Sequence, residues 1–143
     1  MSKTFTLTEA QMLLPVLQSL LEKVQASTVR GAEREMAMQR LSQRIFLSGG
    51  LHVDVVAAAR RRAERDKAVQ EGKVTLAELE AIGVRVEDLH RGALDFPFVL
   101  DGATVMLCWK LGEREIGHWH GADQASQDRR PLDARFGRTE RLN

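Results

Sequence analysis

The chain has one cysteine, no tyrosine, three prolines and only 5% aromatic residues in 143 positions. A lone thiol cannot close an internal disulfide, which excludes a stapled scaffold and leaves Cys108 as a core residue, a reactive thiol or a metal ligand. A dominant charge is missing too: 21 Lys and Arg against 20 Asp and Glu leave a formal net charge of +1. Such totals give neither a general nucleic-acid footprint nor a polybasic membrane anchor. No apolar run approaches the roughly 20 residues that span a bilayer, and the N-terminal residues lack the apolar stretch of a signal peptide. The expected setting is therefore the cytoplasm, with neither nucleic acid nor membrane as partner. The length suits one domain with a real core. Residues 1–143 are read as that domain, with a helical part over 7–82, a sheet over 84–120 and a loop and tail over 121–143.

Leu13, Leu14, Leu17, Leu20, Leu21 and Val24 follow the spacing of an amphipathic helix, and Met38, Leu41 and Ile45 resume the stripe. Thr6 with Glu9, or Thr8 with Gln11, can make a capping box at its start. Pro15 lacks the N–H for the ladder, so a bend or a short preliminary turn is expected there. Ser48, Gly49 and Gly50 supply a reversal, after which a second helix is expected from about His52. Gly72 is read as an interruption, with Thr75 and Glu78 capping a short third helix that ends at Gly83. The basic run Arg60, Arg61, Arg62, Arg65 and Lys67 is interleaved with Glu64, Asp66 and Glu71, as on a solvated helix face; phosphate binding is its weaker reading.

Beyond Gly83 the pattern changes to short runs rich in β-branched or aromatic residues. Residues 84–86 form a small strand candidate, and 96–100 and 104–111 flank Asp101-Gly102, a dipeptide suited to a type I′ hairpin. A turn at Gly112 leads to a further strand over 116–120, giving a three-stranded antiparallel meander. The predicted fold is α+β, a long antiparallel helical hairpin with a short third helix packed on that meander.

Residues 95–131 hold the cysteine, both tryptophans and two of the four histidines. In a strand His118 and His120 share one face, so they can offer nitrogens to one divalent transition metal such as zinc, with Asp123, Glu113 or Cys108 as third donor. His118, His120 and Asp123 are the metal set expected from this spacing. Parity also puts Val105, Leu107 and Trp109 on one side of their strand and Met106, Cys108 and Lys110 on the other. Cys108 reads as a packed small hydrophobe rather than a nucleophile, which would need an imidazole or cation beside it; His120 is the nearest source. Asp101 is assigned to turn chemistry, whereas Asp95 and Glu113 are functional candidates. Arg129 precedes Arg130-Pro131 and suits a carboxylate or phosphate ligand; equally, it can pair with Asp123 or Asp128.

Phe5-Thr6, Glu9-Ala10, Leu13-Leu14-Pro15, Gly92, Asp95-Phe96-Pro97, Leu107-Cys108-Trp109, Gly112-Glu113, Ile116, Trp119-His120, Arg129 and Pro131 together resemble the bacterial domain-of-unknown-function family numbered 2203. The resemblance spans nearly the whole chain and implies a small bacterial protein with no established activity. It carries Asp95, Cys108, Trp109, Glu113, His120 and Arg129 onto motif positions. His118 departs, since relatives often have an aromatic residue there, and so does the segment 124–128.

The expectation is a domain that binds a small polar ligand or a metal ion at Asp95, Trp109, Glu113, His120 and Arg129. Whether it is an enzyme is left open; for catalysis, His120 would move the proton and Glu113 would be its carboxylate partner. The rival expectation is a non-catalytic interaction module that forms a homodimer through its helices.

Overall fold

A computed structural model describes residues 3–49 and 54–141. Two compact units are distinguished, one made of Met1–Glu22 with Ala77–Asn143 and one of Lys23–Leu76. Helix α1 (Leu7–Leu47) and helix α2 (Val55–Ala81) each contribute to both.

Helix α1 starts with the Thr6 capping box: the Glu9 N–H donates to Thr6 Oγ1 at 3.1 Å, and the Thr6 N–H donates to Glu9 Oε1 at 2.9 Å. It runs unbroken through the exposed Pro15, so no separate preliminary turn forms. Helix α2 is capped by Asp54, whose Oδ1 accepts the Ala57 N–H at 2.9 Å. The expected start at His52 and the second turn glycine, Gly50, lie outside the described residues, while Gly49 has a φ of +75°.

The break expected at Gly72 does not occur. Helix α2 continues past it, and the Thr75 hydroxyl donates back to the Glu71 carbonyl at 2.9 Å instead of capping a new helix. Gly72 serves packing instead, because a Cβ there would stand 3.4 Å from Ser27 Cβ, and a Cβ on Gly31 would stand 3.3 Å from Val69 Cγ2. Within this helical unit Arg65 pairs with Glu35 at 2.6 Å, Arg30 with Glu71 at 3.3 Å and Arg34 with Glu64 at 3.6 Å. These are solvated pairs worth about 0–1 kcal/mol each. They place Arg65 of the basic run in ion pairing across the hairpin.

The other unit is built on a sheet of five strands rather than three, in the order β1 (Arg85–Asp88), β2 (Ala93–Leu100), β3 (Ala103–Lys110), β4 (His118–Gly121) and β5 (Arg130–Pro131). Every neighbouring pair is antiparallel. The β2–β3 hairpin turns on Asp101 and Gly102, with φ of 51° and 82°, as the Asp-Gly dipeptide demands. Beyond the first residue of β1, the N-terminal segment takes over the same edge of β2: the Phe5 N–H donates to the Pro97 carbonyl at 2.8 Å.

The stretch read as loop and tail also carries structure. It holds a 3-10 turn at Ser126–Asp128, the short strand β5 and helix α3 (Ala134–Arg141). One residue secures α3: Phe136 is 1% exposed and packs against Phe98 and Trp119, at ring-centroid distances of 5.0 and 5.5 Å. A single aromatic among charged neighbours gives no period, which is why the sequence reads as loop.

Alternation makes the sheet two-faced. Leu94, Phe96, Phe98, Val105, Leu107, Trp109 and Trp119 are buried on one face, where Phe5 meets Phe96 edge-on at 5.7 Å. Ala10, Leu14, Leu17 and Leu21 of α1 are buried in the same unit, at the four, three and four spacing of one helix face. The opposite face carries the polar and titratable groups.

Candidate ligand-binding site

The register aligns Arg85, Asp95, Cys108 and His118 in one row across β1 to β4, since each is the direct partner of the next. Directly opposed residues share a face, so this row forms the floor of the polar side. His120 lies one pleat along, opposite Met106. Strand β4 is two strands from β2, about 10 Å at the usual spacing, yet His120 Nε2 reaches 3.2 Å from Asp95 Oδ2. Both side chains lean across β3, and the residue between them must be small. Cys108 fills that place, consistent with its reading as a packing residue.

The Asp95 and His120 side chains are fully buried. Arg85, half exposed, donates from Nη2 to Asp95 Oδ2 at 2.9 Å from the rim. Burial pushes the Asp95 carboxyl above its ordinary range and the Glu87 charge adds to this, while His120 and Arg85 pull the other way. Among the described residues, two buried carboxylate oxygens, Asp95 Oδ1 and Glu87 Oε2, have no hydrogen-bond partner. The other Glu87 oxygen, Oε1, accepts the Ser126 N–H at 3.0 Å, which ties the 3-10 turn to this side of the sheet.

His120 Nδ1 stands 2.7 Å from the Gly121 carbonyl, an acceptor, so Nδ1 carries a proton and donates. With Nδ1 donating, Nε2 of the neutral ring is a lone pair facing the Asp95 carboxylate. Two acceptors at that distance require a cation between them, whether a proton or a metal ion. Among the described residues, Asp95, Cys108 and His120 form the group of three buried donors that could hold one ion, their ligand atoms all within 4.8 Å of one another. The Cys108 thiol itself is pushed up to about 12, first by burial and then by the Asp95 charge. As a free thiol it is not an activated nucleophile.

A second group lies beside the first. Arg129 Nη2 donates to Glu113 Oε2 at 2.5 Å and to His118 Nδ1 at 2.6 Å, and Glu113 Oε1 accepts the Lys110 N–H at 2.8 Å. Burial works to raise the Glu113 carboxyl, but the bonds from Arg129 and Lys110 outweigh it and hold the group below its ordinary value. Because guanidinium only donates, His118 Nδ1 is the acceptor and that ring carries its proton on Nε2.

The residues expected to form one cluster are therefore distributed over three places. Asp95 and His120 meet; Glu113 and Arg129 meet each other; and the Trp109 ring lies on the apolar face, reaching Glu113 only through its indole N–H, which donates to the main-chain carbonyl at 2.9 Å. The carboxylate partner of His120 is Asp95, not Glu113. His118, His120 and Asp123 are not a group of converging donors among the described residues, because His118 Nδ1 is engaged by Arg129 and Asp123 is exposed in the turn after β4. Arg129 pairs with Glu113 instead of Asp123 or Asp128. Arg85 and Glu87 join the site although the sequence pattern does not mark them as site residues. The alternation of Arg85 with Val84 and Val86 gives its face of the strand, and only the pairing of β1 with β2 sets it opposite Asp95.

No curated protein and no solved structure matches the chain. A family profile does, over residues 3–132, and it includes every residue of the two polar groups. The chain belongs to the uncharacterized conserved protein family DUF2203.

Proposed function

We propose that the protein is a small-ligand-binding domain whose site is the polar face of the sheet around Asp95, His120 and Glu87, and that its ligand is a cation or a strong hydrogen-bond donor. The observation that carries this reading is the pair of buried carboxylate oxygens, Asp95 Oδ1 and Glu87 Oε2, that have no partner among the described residues. Leaving a buried acceptor unsatisfied costs about 1–3 kcal/mol, and more for charged groups. A fold that retains two of them gains by a ligand that satisfies them. Arg85, half exposed, is the solvent-side group that bonds the buried Asp95 carboxylate. Any chemistry at the site would be general acid–base work by the Asp95–His120 pair, which has the proton-holding geometry for it.

The test is a thermal-shift panel of primary amines, guanidinium compounds and divalent cations on the full chain, with Asp95→Asn and Glu87→Gln as charge-removing variants of unchanged size. At least one probe stabilises the wild type, and the variants lose that shift. No shift with any probe, or the same shift in the variants, overturns the reading.

A second reading concerns the helical unit, where Met36, Phe46, Leu47, Val55 and Val56 are each more than half exposed. Apolar side chains at that density favour self-association through the hairpin as a homodimer. Sedimentation at micromolar concentration tests it: a dimer that Phe46→Ser dissociates supports this reading, and a monomeric wild type ends it.

A further inference from the structure

We propose that the cation held between His120 and Asp95 is a divalent transition metal ion, best suited to zinc, with His120 Nε2, an Asp95 carboxylate oxygen and Cys108 Sγ as its protein ligands. This deepens the ligand-binding reading above and rests on it.

His120 makes the bond that metal-bound histidines make with their outer nitrogen, Nδ1–H to a backbone carbonyl, here that of Gly121 at 2.7 Å. That bond fixes the tautomer and turns the Nε2 lone pair inward. The Nε2 to Asp95 Oδ2 separation of 3.2 Å is also the spacing zinc needs: two ligands at about 2.0–2.1 Å in a tetrahedron stand about 3.3 Å apart. Asp95 is fully buried; Oδ2, the oxygen at that spacing, also accepts from Arg85, and Oδ1 has no hydrogen-bond partner among the described residues, so the carboxylate keeps acceptor capacity for an ion.

Cys108 completes the argument, because its register position directly opposite Asp95 puts Sγ within 4.8 Å of both other donors. A nitrogen, an oxygen and a sulfur select a borderline-soft ion over magnesium or calcium, which take oxygen sets. On binding, the thiol becomes a thiolate and its proton leaves to solvent, as does the proton shared by His120 and Asp95. This donor set takes one residue from each of β2, β3 and β4, rather than the His-x-His pair that strand spacing alone suggests.

Cobalt titration of the chelator-stripped full chain tests the proposal. Stoichiometric binding should give the visible bands of tetrahedral cobalt together with near-ultraviolet sulfur-to-cobalt charge transfer, and zinc should abolish both. Cys108→Ser should lose the charge transfer, and Asp95→Asn and His120→Gln should each weaken binding by at least about tenfold. Melting each variant without metal shows whether it folds, and the wild-type spectrum decides the thiolate question with no variant at all. Cobalt binding without charge transfer, or a Cys108→Ser spectrum identical to wild type, overturns the metal site. So does an absence of cobalt binding while an amine or guanidinium probe still stabilises the wild type through Asp95, and in that case the broader ligand reading stands. If metal and organic cations alike leave the protein unchanged, both readings fall.

Discussion

Arg129 Nη2 lies 2.5 Å from Glu113 Oε2, and the same nitrogen lies 2.6 Å from His118 Nδ1. One guanidinium thus ties the loop before β5 to the turn after β3 and to β4. Glu113→Gln keeps the shape and removes the charge-assisted bond, and should cost about 1–3 kcal/mol in urea unfolding at neutral pH. The Glu113 carboxyl is held below its ordinary value of 4.5, so its contribution is fully present above that value and is lost as pH falls through the lowered folded one. The difference between wild type and Glu113→Gln should therefore vanish on acidification.

Asp95 behaves in the opposite sense. Its carboxyl is raised, chiefly by burial, so the proton-linked contribution is fully present below the ordinary value of 3.8 and is lost as pH rises through the raised folded one. At neutral pH the metal-free wild type carries this cost, either as a buried charge or as a carboxyl that must take up a proton on folding, and Asp95→Asn does not; the new amide can also donate to His120 Nε2. Metal-free Asp95→Asn should melt above the wild type at neutral pH, and the gain should shrink on acidification. For a chain of this size each 1 kcal/mol corresponds to about 2–4 °C. A site residue whose neutral variant is more stable is one retained for something other than stability.

Phe136 is the apolar anchor of α3. Phe136→Ala should cost about 3 kcal/mol or somewhat more, the usual range for a buried phenylalanine. Because Trp119 loses its ring partner, its fluorescence should shift to the red, and trypsin should cut the C-terminal arginines faster. A wild-type emission maximum together with a wild-type melt would show that α3 does not cover the sheet.

Gly92 and Gly112 give a matched pair of backbone tests. Both have positive φ, +73° and +106°, but a Cβ on Gly92 would come within 2.7 Å of Leu111 Cβ, while nothing lies within 4 Å of one on Gly112. Gly112→Ala bears only the backbone strain, about 1 kcal/mol or slightly more, whereas Gly92→Ala adds a collision and should cost about 3 kcal/mol. Urea denaturation of both variants reads the difference directly.

The features visible in the sequence were those that one local pattern determines. The Thr6–Glu9 box, the Asp101-Gly102 hairpin and the two faces of β3 follow from spacing alone. Gly72 misled because its role is close approach to Ser27, a contact across the hairpin that no local rule detects. Strand β5 and α3 were hidden because two residues are too few to alternate and one phenylalanine is too few to repeat. At the site, His120 and Asp95 are candidates by residue type and position, but which side chains meet them depends on register. Parity gave Cys108 its face, while the placement of Arg85 opposite Asp95 needed the pairing of β1 with β2.

The bond from the Phe5 N–H to the Pro97 carbonyl gives the chain a timetable. The helical unit, Lys23–Leu76, is continuous in sequence, so its contacts are available as soon as that stretch has left the ribosome. The sheet unit has its first segment synthesised before the helical unit and its strands after it, and its closing contacts join the two extremes of that order. Residues of the N-terminal segment must wait, with Phe5 uncovered, until β2 exists to receive them. High sequence separation of this kind slows folding. A destabilised helical unit would prolong that wait, so substitutions within Lys23–Leu76 can reduce the yield of assembled sites without altering the site itself.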